Sequence, residues 1–128
     1  MDQAERGART RVLVVDDDDA VRKVSVRALE FKGFEATAVA TGEEALRQLQ
    51  TGNFDCMILD LTMPELSGTE TLSQVRASFP ALPVLLSSGY QERSVETLLA
   101  QDRHLGFVAK PFTPAQLAEH VGDVLKRT

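Results

Sequence analysis

Two runs of consecutive apolar residues stand out along the chain, at positions 12–15 and 56–59. A short continuous apolar run is typical of a strand that is buried on both faces of a parallel sheet. Such a strand needs helices on both sides of its sheet, so the two runs predict an α/β protein. Three further apolar segments predict shorter strands at 36–39, 84–86 and 106–109.

Between the predicted strands, apolar residues recur at helical spacing and predict five helices. In the first helix the apolar positions include Val24 and Phe31, and Gly33 supplies a stop. Thr41 opens a Thr-x-x-Glu capping box, and Thr113 precedes a proline suited to the first helical position. Five strands that alternate with five helices predict a single-domain, flavodoxin-like, doubly wound parallel sheet with strand order 2-1-3-4-5.

Length and charge narrow the classes of function. The 128 residues, 43% of them hydrophobic, suffice for one domain with a substantial core. We expect residues 1–10 to form a disordered tail or linker and residues 11–128 to form the domain. A formal net charge of −5 and the lack of a Lys/Arg stripe argue against direct nucleic-acid binding. One cysteine, and no apolar segment of membrane-spanning length, suggest a cytoplasmic protein without a membrane partner.

Polar residues follow four of the five predicted strands. Asp16 and Asp17 follow the first strand, Asp60 the third, Ser88 the fourth and Lys110 the fifth. The carboxyl ends of parallel strands share one edge of the sheet, so these side chains should converge there. Carboxylates in contact repel one another by about 4 kcal/mol per pair at an effective dielectric near 20. The cluster therefore requires a cation, and oxygen ligands without His or Cys favour Mg²⁺.

This set of side chains is suited to accepting a phosphoryl group. Asp60 supplies the attacking oxygen, while the metal and Lys110 neutralise charge on the phosphoryl oxygens. Ser88 would then hydrogen-bond the bound phosphoryl group. Taken alone, Asp60 could simply cap a turn and Lys110 could be an ordinary surface lysine. Their predicted convergence at one edge favours the functional interpretation.

Four short stretches, in this order along the chain, resemble the receiver domain of two-component response regulators. The resemblance extends from about residue 11 to about residue 126. The matching stretches are VVDD at 14–17, LDLTMP at 59–64 with Gly68 after it, LSSG at 86–89 and FVAKP at 107–111.

The resemblance implies a role for each matching residue. Asp60 would be phosphorylated by the phosphohistidine of a sensor histidine kinase or a phosphotransfer protein. Asp17, Asp60 and the backbone carbonyl of Thr62 would bind Mg²⁺ directly, and Asp16 would act through water. Lys110 would contact the phosphoryl group and precede a cis proline, an isomer found at about 5–6% of X–Pro bonds.

The resemblance also implies a conformational switch. Phosphorylation would draw Ser88 toward the phosphate, and Phe107 would then turn inward. The family more often has Thr and Tyr at these two positions, so a hydroxyl remains at the first and is lost at the second. We expect a signalling protein that catalyses only its own phosphorylation and dephosphorylation, as a monomer or a phosphorylation-dependent dimer. Its SSGY turn at 87–90 resembles the same turn in receivers of hybrid sensor histidine kinases. The sequence does not identify the downstream partner.

Two other classes of function remain at this point. A hydrolase that uses an aspartyl phosphate needs a second Asp two positions after the nucleophile, where this chain has Thr62. A phosphorylation-independent interaction domain keeps the fold but usually lacks the acceptor, the acidic pair or the lysine. This chain retains all of them, which favours the phosphorylatable receiver.

Overall fold

Strands and helices alternate along the chain in the computed structural model, which describes residues 9–62, 68–89 and 93–127. Every predicted strand lies within an observed one. The elements, in chain order, are β1 (Arg11–Val15), α1 (Asp19–Phe31), β2 (Glu35–Val39), α2 (Gly42–Thr51), β3 (Cys56–Asp60), α3 (Gly68–Ser78), β4 (Val84–Ser88), α4 (Arg93–Gln101), β5 (Leu105–Ala109) and α5 (Pro114–Lys126).

The five strands form one parallel sheet in the order β2-β1-β3-β4-β5, which confirms the predicted 2-1-3-4-5 topology. The pairing register aligns the carboxyl ends of neighbouring strands. Asp60 at the end of β3 lies opposite Ser87, and Ser88 at the end of β4 lies opposite Ala109. Polar residues that end these strands are therefore brought to the same edge of the sheet.

Side chains alternate between the two faces of the sheet, so each strand contributes to two halves of the core. One half lies beneath α2, α3 and α4, and the other lies beneath α1 and α5. The first half includes Leu13, Val15, Met57, Leu59, Val84 and Leu86, and the second includes Val12, Val14, Cys56, Ile58 and Leu85. Burial on both faces explains why these strands are continuously apolar in sequence.

The buried face of α1 differs from the one that its apolar residues suggest. Ala28 and Leu29 pack on the sheet, whereas Val24 is 48% exposed and Phe31 is 86% exposed. The buried face also includes Ser25. With 3.6 residues per turn, Ser25 and Leu29 lie one above the other, and Val24 and Phe31 project away from the sheet. The apolar spacing therefore predicted the helix but did not by itself identify which of its faces is buried.

The predicted helix boundaries are confirmed by local hydrogen bonds. Thr41 Oγ1 accepts from the Glu44 N–H at 3.1 Å, and Thr113 forms a reciprocal capping box with Gln116. Gly33, just after α1, has φ = 92°, a left-handed conformation that glycine adopts readily. Within the described ranges, no helix is both long enough and apolar enough to span a bilayer.

Several predictions concern residues outside the described ranges. They include residues 1–8 of the predicted tail, together with Met63, Pro64 and Tyr90. The proposed division into a tail at 1–10 and a domain at 11–128 stays a prediction.

Candidate functional site

Asp60 is the buried centre of the site. It is the last residue of β3, and only 1% of its surface is exposed. Its Oδ1 accepts hydrogen bonds from the Thr62 amide at 3.0 Å and from the Thr62 hydroxyl at 2.8 Å. These bonds fix the orientation of the carboxylate.

The predicted acidic cluster is present. One carboxylate oxygen from each of Asp16, Asp17 and Asp60 lies within 4.8 Å of the other two. Asp16 and Asp60 are buried, whereas Asp17 is exposed. The sheet topology explains this arrangement, because β1 and β3 are neighbours and end at the same edge.

Lys110 brings a positive charge to the same edge. Its Nζ lies 2.8 Å from Asp16 Oδ2 and 3.4 Å from Asp60 Oδ2. Its backbone N–H donates to the Ser88 carbonyl at 2.8 Å, which joins the residue to the end of β4. The bond from Lys110 to Pro111 is cis, as the sequence resemblance implied.

Burial and charge shift the ionisation of two residues in the site. Removal of the Asp16 carboxylate from water raises its pKa, although hydrogen bonds from Lys110 and the Asp18 amide oppose the rise. Burial alone would lower the pKa of Lys110. The hydrogen bond and charge of Asp16, together with the charge of Asp60, outweigh burial and raise it. The lysine is therefore held as an ammonium within a site that favours positive charge.

The turn from Asp16 to Asp19 connects β1 to α1 and is ordered by its own carboxylates. Asp16 Oδ1 accepts from the Asp18 amide at 2.9 Å. Asp18 Oδ1 in turn accepts from the amides of Ala20 and Val21, at 2.9 and 3.2 Å, and caps α1. The acidic residues beyond the first pair therefore favour the start of the helix.

The two predicted switch residues lie near this edge in different environments. Ser88 ends β4 and is 2% exposed. Phe107 lies in β5, is partly buried, and packs against the half of the core beneath α2, α3 and α4. Their positions are compatible with the implied switch, and their roles stay predictions.

Gly68 has a structural role that the motif by itself did not reveal. It begins α3, and a Cβ at this position would lie 2.5 Å from the Asp60 carbonyl oxygen and would overlap the Leu61 Cα. The helix therefore approaches the backbone of the acceptor strand too closely for any side chain. The only signal in the sequence was a glycine shortly after the Asp60 stretch.

The donor set of the acidic cluster suits a hard divalent cation. Carboxylate oxygens are the preferred ligands of Mg²⁺, and they converge here without His or Cys. Asp16 and Asp60 are buried, and Lys110 supplies only one positive charge to the cluster. The residues present therefore fit the cation that the sequence suggested.

A family model of the response regulator receiver domain matches residues 12–122 of the chain. The chain belongs to this family. This family acts as a signalling switch in two-component systems and is generally not a classical enzyme. In this receiver domain, the acidic cluster and Lys110 lie at the edge of the sheet where the parallel strands have their carboxyl ends.

Known proteins similar to this receiver domain include a chemotaxis protein and a sensor kinase. It is 36% identical over 120 residues to the chemotaxis protein CheY of Pseudomonas aeruginosa, covering 91% of this chain and 97% of that protein. It is 37% identical over 118 residues to the sensor kinase CckA of Brucella abortus, covering 91% of this chain. The chain spans only 12% of that kinase's length.

A solved structure with the same fold is the response regulator TrrA from Thermotoga maritima, in complex with Mg(2+)-BeF. The two proteins are 34% identical, and the TM-score is 0.79. The superposition covers 90% of this receiver domain and 98% of TrrA.

Proposed function

We propose that this receiver domain accepts a phosphoryl group on Asp60 in a Mg²⁺-dependent reaction. The donor is the phosphohistidine of a sensor histidine kinase or of a phosphotransfer protein. The main support is the geometry around the Asp60 carboxylate: Lys110 Nζ lies 3.4 Å from Oδ2, and oxygens of Asp16 and Asp17 lie within 4.8 Å. The same protein acts as a conformational switch in two-component signalling.

The transfer exchanges one bond to phosphorus for another. A carboxylate oxygen of Asp60 forms the new P–O bond while the P–N bond of the phosphohistidine breaks. The electron pair of that bond returns to the imidazole nitrogen, so the donor histidine is regenerated. Lys110 stabilises negative charge on the phosphoryl oxygens, and its raised pKa keeps it protonated.

Asp16, Asp17, Asp60 and the Thr62 backbone carbonyl would hold Mg²⁺. When bound, the cation neutralises charge on the phosphoryl oxygens and the surrounding carboxylates. The structure of the similar regulator TrrA in complex with Mg(2+)-BeF supports this assignment. A fluoride complex of beryllium resembles a phosphoryl group in size and charge, so it stands in that structure for the phosphoryl group that we propose here beside Mg²⁺.

The switch that follows phosphorylation involves Ser88 and Phe107. Ser88 lies in the strand beside that of Asp60, and its hydroxyl can hydrogen-bond a phosphoryl oxygen after a small displacement. The partly buried ring of Phe107 can then pack more deeply into the adjoining core. A preexisting equilibrium between two packings is thereby shifted, and a partner that prefers one of them reads the change.

The proposal includes the setting in which the domain works. We expect the domain and its phosphodonor to operate in the cytoplasm. It binds proteins rather than nucleic acid, and it acts as a monomer or as a dimer formed on phosphorylation. Both a separate regulator and a receiver within a larger kinase are compatible with the lengths of CheY and CckA.

Intact mass spectrometry after incubation with acetyl phosphate tests the acceptor chemistry. Wild type should gain one phosphoryl group, about 80 Da, when Mg²⁺ is present and none when it is chelated. Asp60→Asn should gain none under either condition. Asp123→Asn, which changes an exposed aspartate on α5, is the matched control and should behave as wild type.

Each other outcome points to a specific alternative. Labelling of Asp60→Asn would show that a different residue is the acceptor. A folded wild type that binds Mg²⁺ but is never labelled, and whose partner affinity is unaffected by the phosphodonor, would instead be an interaction domain. Sustained release of phosphate from phosphomonoesters would identify an aspartyl-phosphate hydrolase.

A further inference from the structure

All four hydrogen-bonding groups of Asp16 have partners. Its amide donates to the Val39 carbonyl at 3.2 Å, and its carboxylate oxygens accept from the Asp18 amide and the Lys110 ammonium. Its carbonyl oxygen accepts from Nη1 of Arg22 at 2.8 Å. Arg22 therefore makes the one contact to Asp16 that comes from a helix side chain.

Arg22 spans the acidic turn. While Nη1 contacts the Asp16 carbonyl, Nη2 donates to Asp19 Oδ1 at 2.9 Å. The planar guanidinium thus bonds to both ends of the turn that contains Asp17. The arginine side chain is only 20% exposed, and its bond to the Asp16 carbonyl is partly buried, whereas Asp19 is 67% exposed. The bond to Asp16 therefore competes less with water than the bond to Asp19 does.

The adjacent Lys23 offers an internal comparison. It carries the same charge on the same turn of α1 and lies 3.1 Å from Asp19 Oδ2. Both partners of that pair are mostly exposed, at 74% and 67%, so the pair adds little to the order of the turn. Within the described part of the chain, Lys23 pairs with Asp19 alone, whereas Arg22 bonds to both Asp16 and Asp19.

We propose that Arg22 is a positioning residue for the divalent-cation site, because its guanidinium fixes the Asp16–Asp19 turn and thereby holds Asp16 and Asp17 in place facing Asp60. This inference rests on the proposed Mg²⁺-dependent function. Arg22 acts through the backbone carbonyl of Asp16 and through Asp19, and it does not touch the cation itself. Its contribution is to preorganise the oxygen ligands before a cation arrives.

Electrostatics and positioning predict opposite effects for the loss of Arg22. A guanidinium near a cation site repels the cation, so removal of the charge alone should tighten Mg²⁺ binding. Loss of the two hydrogen bonds should free the turn and weaken binding, and supporting contacts of this kind typically contribute 10–100-fold to metal affinity. The direction of the change therefore distinguishes the two roles.

The experiment is a calorimetric titration of metal-free protein with Mg²⁺, because the chain has no Trp and a single Tyr for an optical signal. Arg22→Met keeps the apolar stem and removes the charge and donors. It should weaken Mg²⁺ binding about tenfold. Lys23→Met removes the same charge and should stay within about twofold of wild type. Arg22→Lys should fall between wild type and Arg22→Met, since an ammonium lacks the planar fork.

The thermal unfolding midpoint without Mg²⁺ separates positioning from a merely structural role. A structural role predicts a lower midpoint with unchanged affinity, and that result would overturn the inference. Unchanged or tighter binding by Arg22→Met would also overturn it. If Arg22→Met does not fold, Arg22→Lys decides: affinity equal to wild type would contradict positioning by the guanidinium fork, and a loss of about threefold or more would support it.

The wild-type titration separates this inference from the function on which it rests. If wild type binds no Mg²⁺, the proposed metal-dependent function fails, and the role of Arg22 fails with it. If wild type binds Mg²⁺ and the Arg22 variants bind it equally well, the role of Arg22 alone is overturned.

Discussion

Lys110 is bonded more closely to Asp16 than to Asp60, the residue that we propose accepts the phosphoryl group. The distances from its Nζ are 2.8 Å to Asp16 Oδ2 and 3.4 Å to Asp60 Oδ2. In this arrangement the ammonium neutralises part of the negative charge of the cluster. Lys110 should therefore exchange partners when a phosphoryl group is added to Asp60, moving from carboxylates to phosphoryl oxygens.

We predict that Lys110→Ala separates cation binding from phosphorylation. Mg²⁺ should bind at least as tightly as to wild type, because a competing positive charge has been removed. Phosphorylation by acetyl phosphate should slow on the order of 10²-fold, the loss typical when one electrostatic stabiliser of a transition state is removed. Calorimetry and the rate of mass gain measure the two quantities. Weaker Mg²⁺ binding together with a wild-type rate would contradict this division of roles.

Gly68 and Gly122 form a matched pair for testing the close approach of α3 to the acceptor strand. Gly68→Ala places a methyl group against the backbone of Asp60 and Leu61, so we expect a loss of about 2 kcal/mol or more in the free energy of unfolding. Around Gly122, within α5, a Cβ would meet no atom within 4 Å. Gly122→Ala should stabilise the protein by about 0.5–1 kcal/mol.

Urea unfolding of both glycine variants measures these free energies, and the mass gain with acetyl phosphate reports on the acceptor. Gly68→Ala should also reduce labelling of Asp60, since the clash displaces the backbone that carries this residue. Equal stabilities for the two variants would show that the end of β3 can move away from α3 without cost.

The salt bridge between Arg76 and Asp102 connects the end of α3 to the segment before β5. Arg76 Nε lies 2.6 Å from Asp102 Oδ2, and the two side chains are only 18% and 22% exposed. The same guanidinium donates to the carbonyls of Phe79, Leu82 and His104. One arginine therefore satisfies acceptors from two segments, the connection before β4 and the connection before β5.

We predict that Arg76→Met lowers the free energy of unfolding by about 3 kcal/mol, because a partly buried carboxylate and several carbonyls lose their donor. Arg103→Met is the control, since Arg103 is exposed and donates only a 3.4 Å bond to the Arg127 carbonyl. That change should stay within about 0.5 kcal/mol of wild type. Urea unfolding with an unchanged m-value would measure the difference, and similar losses for both arginines would contradict it.

Cys56 should be inert until the protein unfolds. Burial raises the pKa of its thiol to about 12, and the nearby Asp55 charge adds to the rise. We expect native protein to react negligibly with a disulfide reagent such as Ellman's reagent at pH 8, where an exposed thiol of pKa about 8.5 reacts readily. Reaction should become fast in denaturing urea. A fast reaction of the native protein would show that β3 opens far more often than its burial suggests.

The sequence by itself determined the framework of this protein. Continuous apolar runs specify strands that must be covered on both faces, and their alternation with helices leaves few topologies. Once that topology is known, residues such as Asp60 and Lys110 must come to the same edge, because each directly follows or ends a parallel strand. The receiver motifs are therefore local in sequence although the site they form is not.

The tertiary structure alone decided the features that depend on distances between segments. The exposure of Val24 and Phe31 follows from the orientation in which α1 packs on the sheet, which its apolar spacing left open. The requirement for Gly68 arises from the approach of α3 to the backbone of β3. The contact of Arg22 with the Asp16 carbonyl depends on the path of a turn, since a backbone carbonyl leaves no trace in the pattern of side chains. The pattern of residue types along the chain indicates burial and periodicity. These contacts depend instead on distances between segments, where a difference of an ångström matters, and only the packed chain defines those distances.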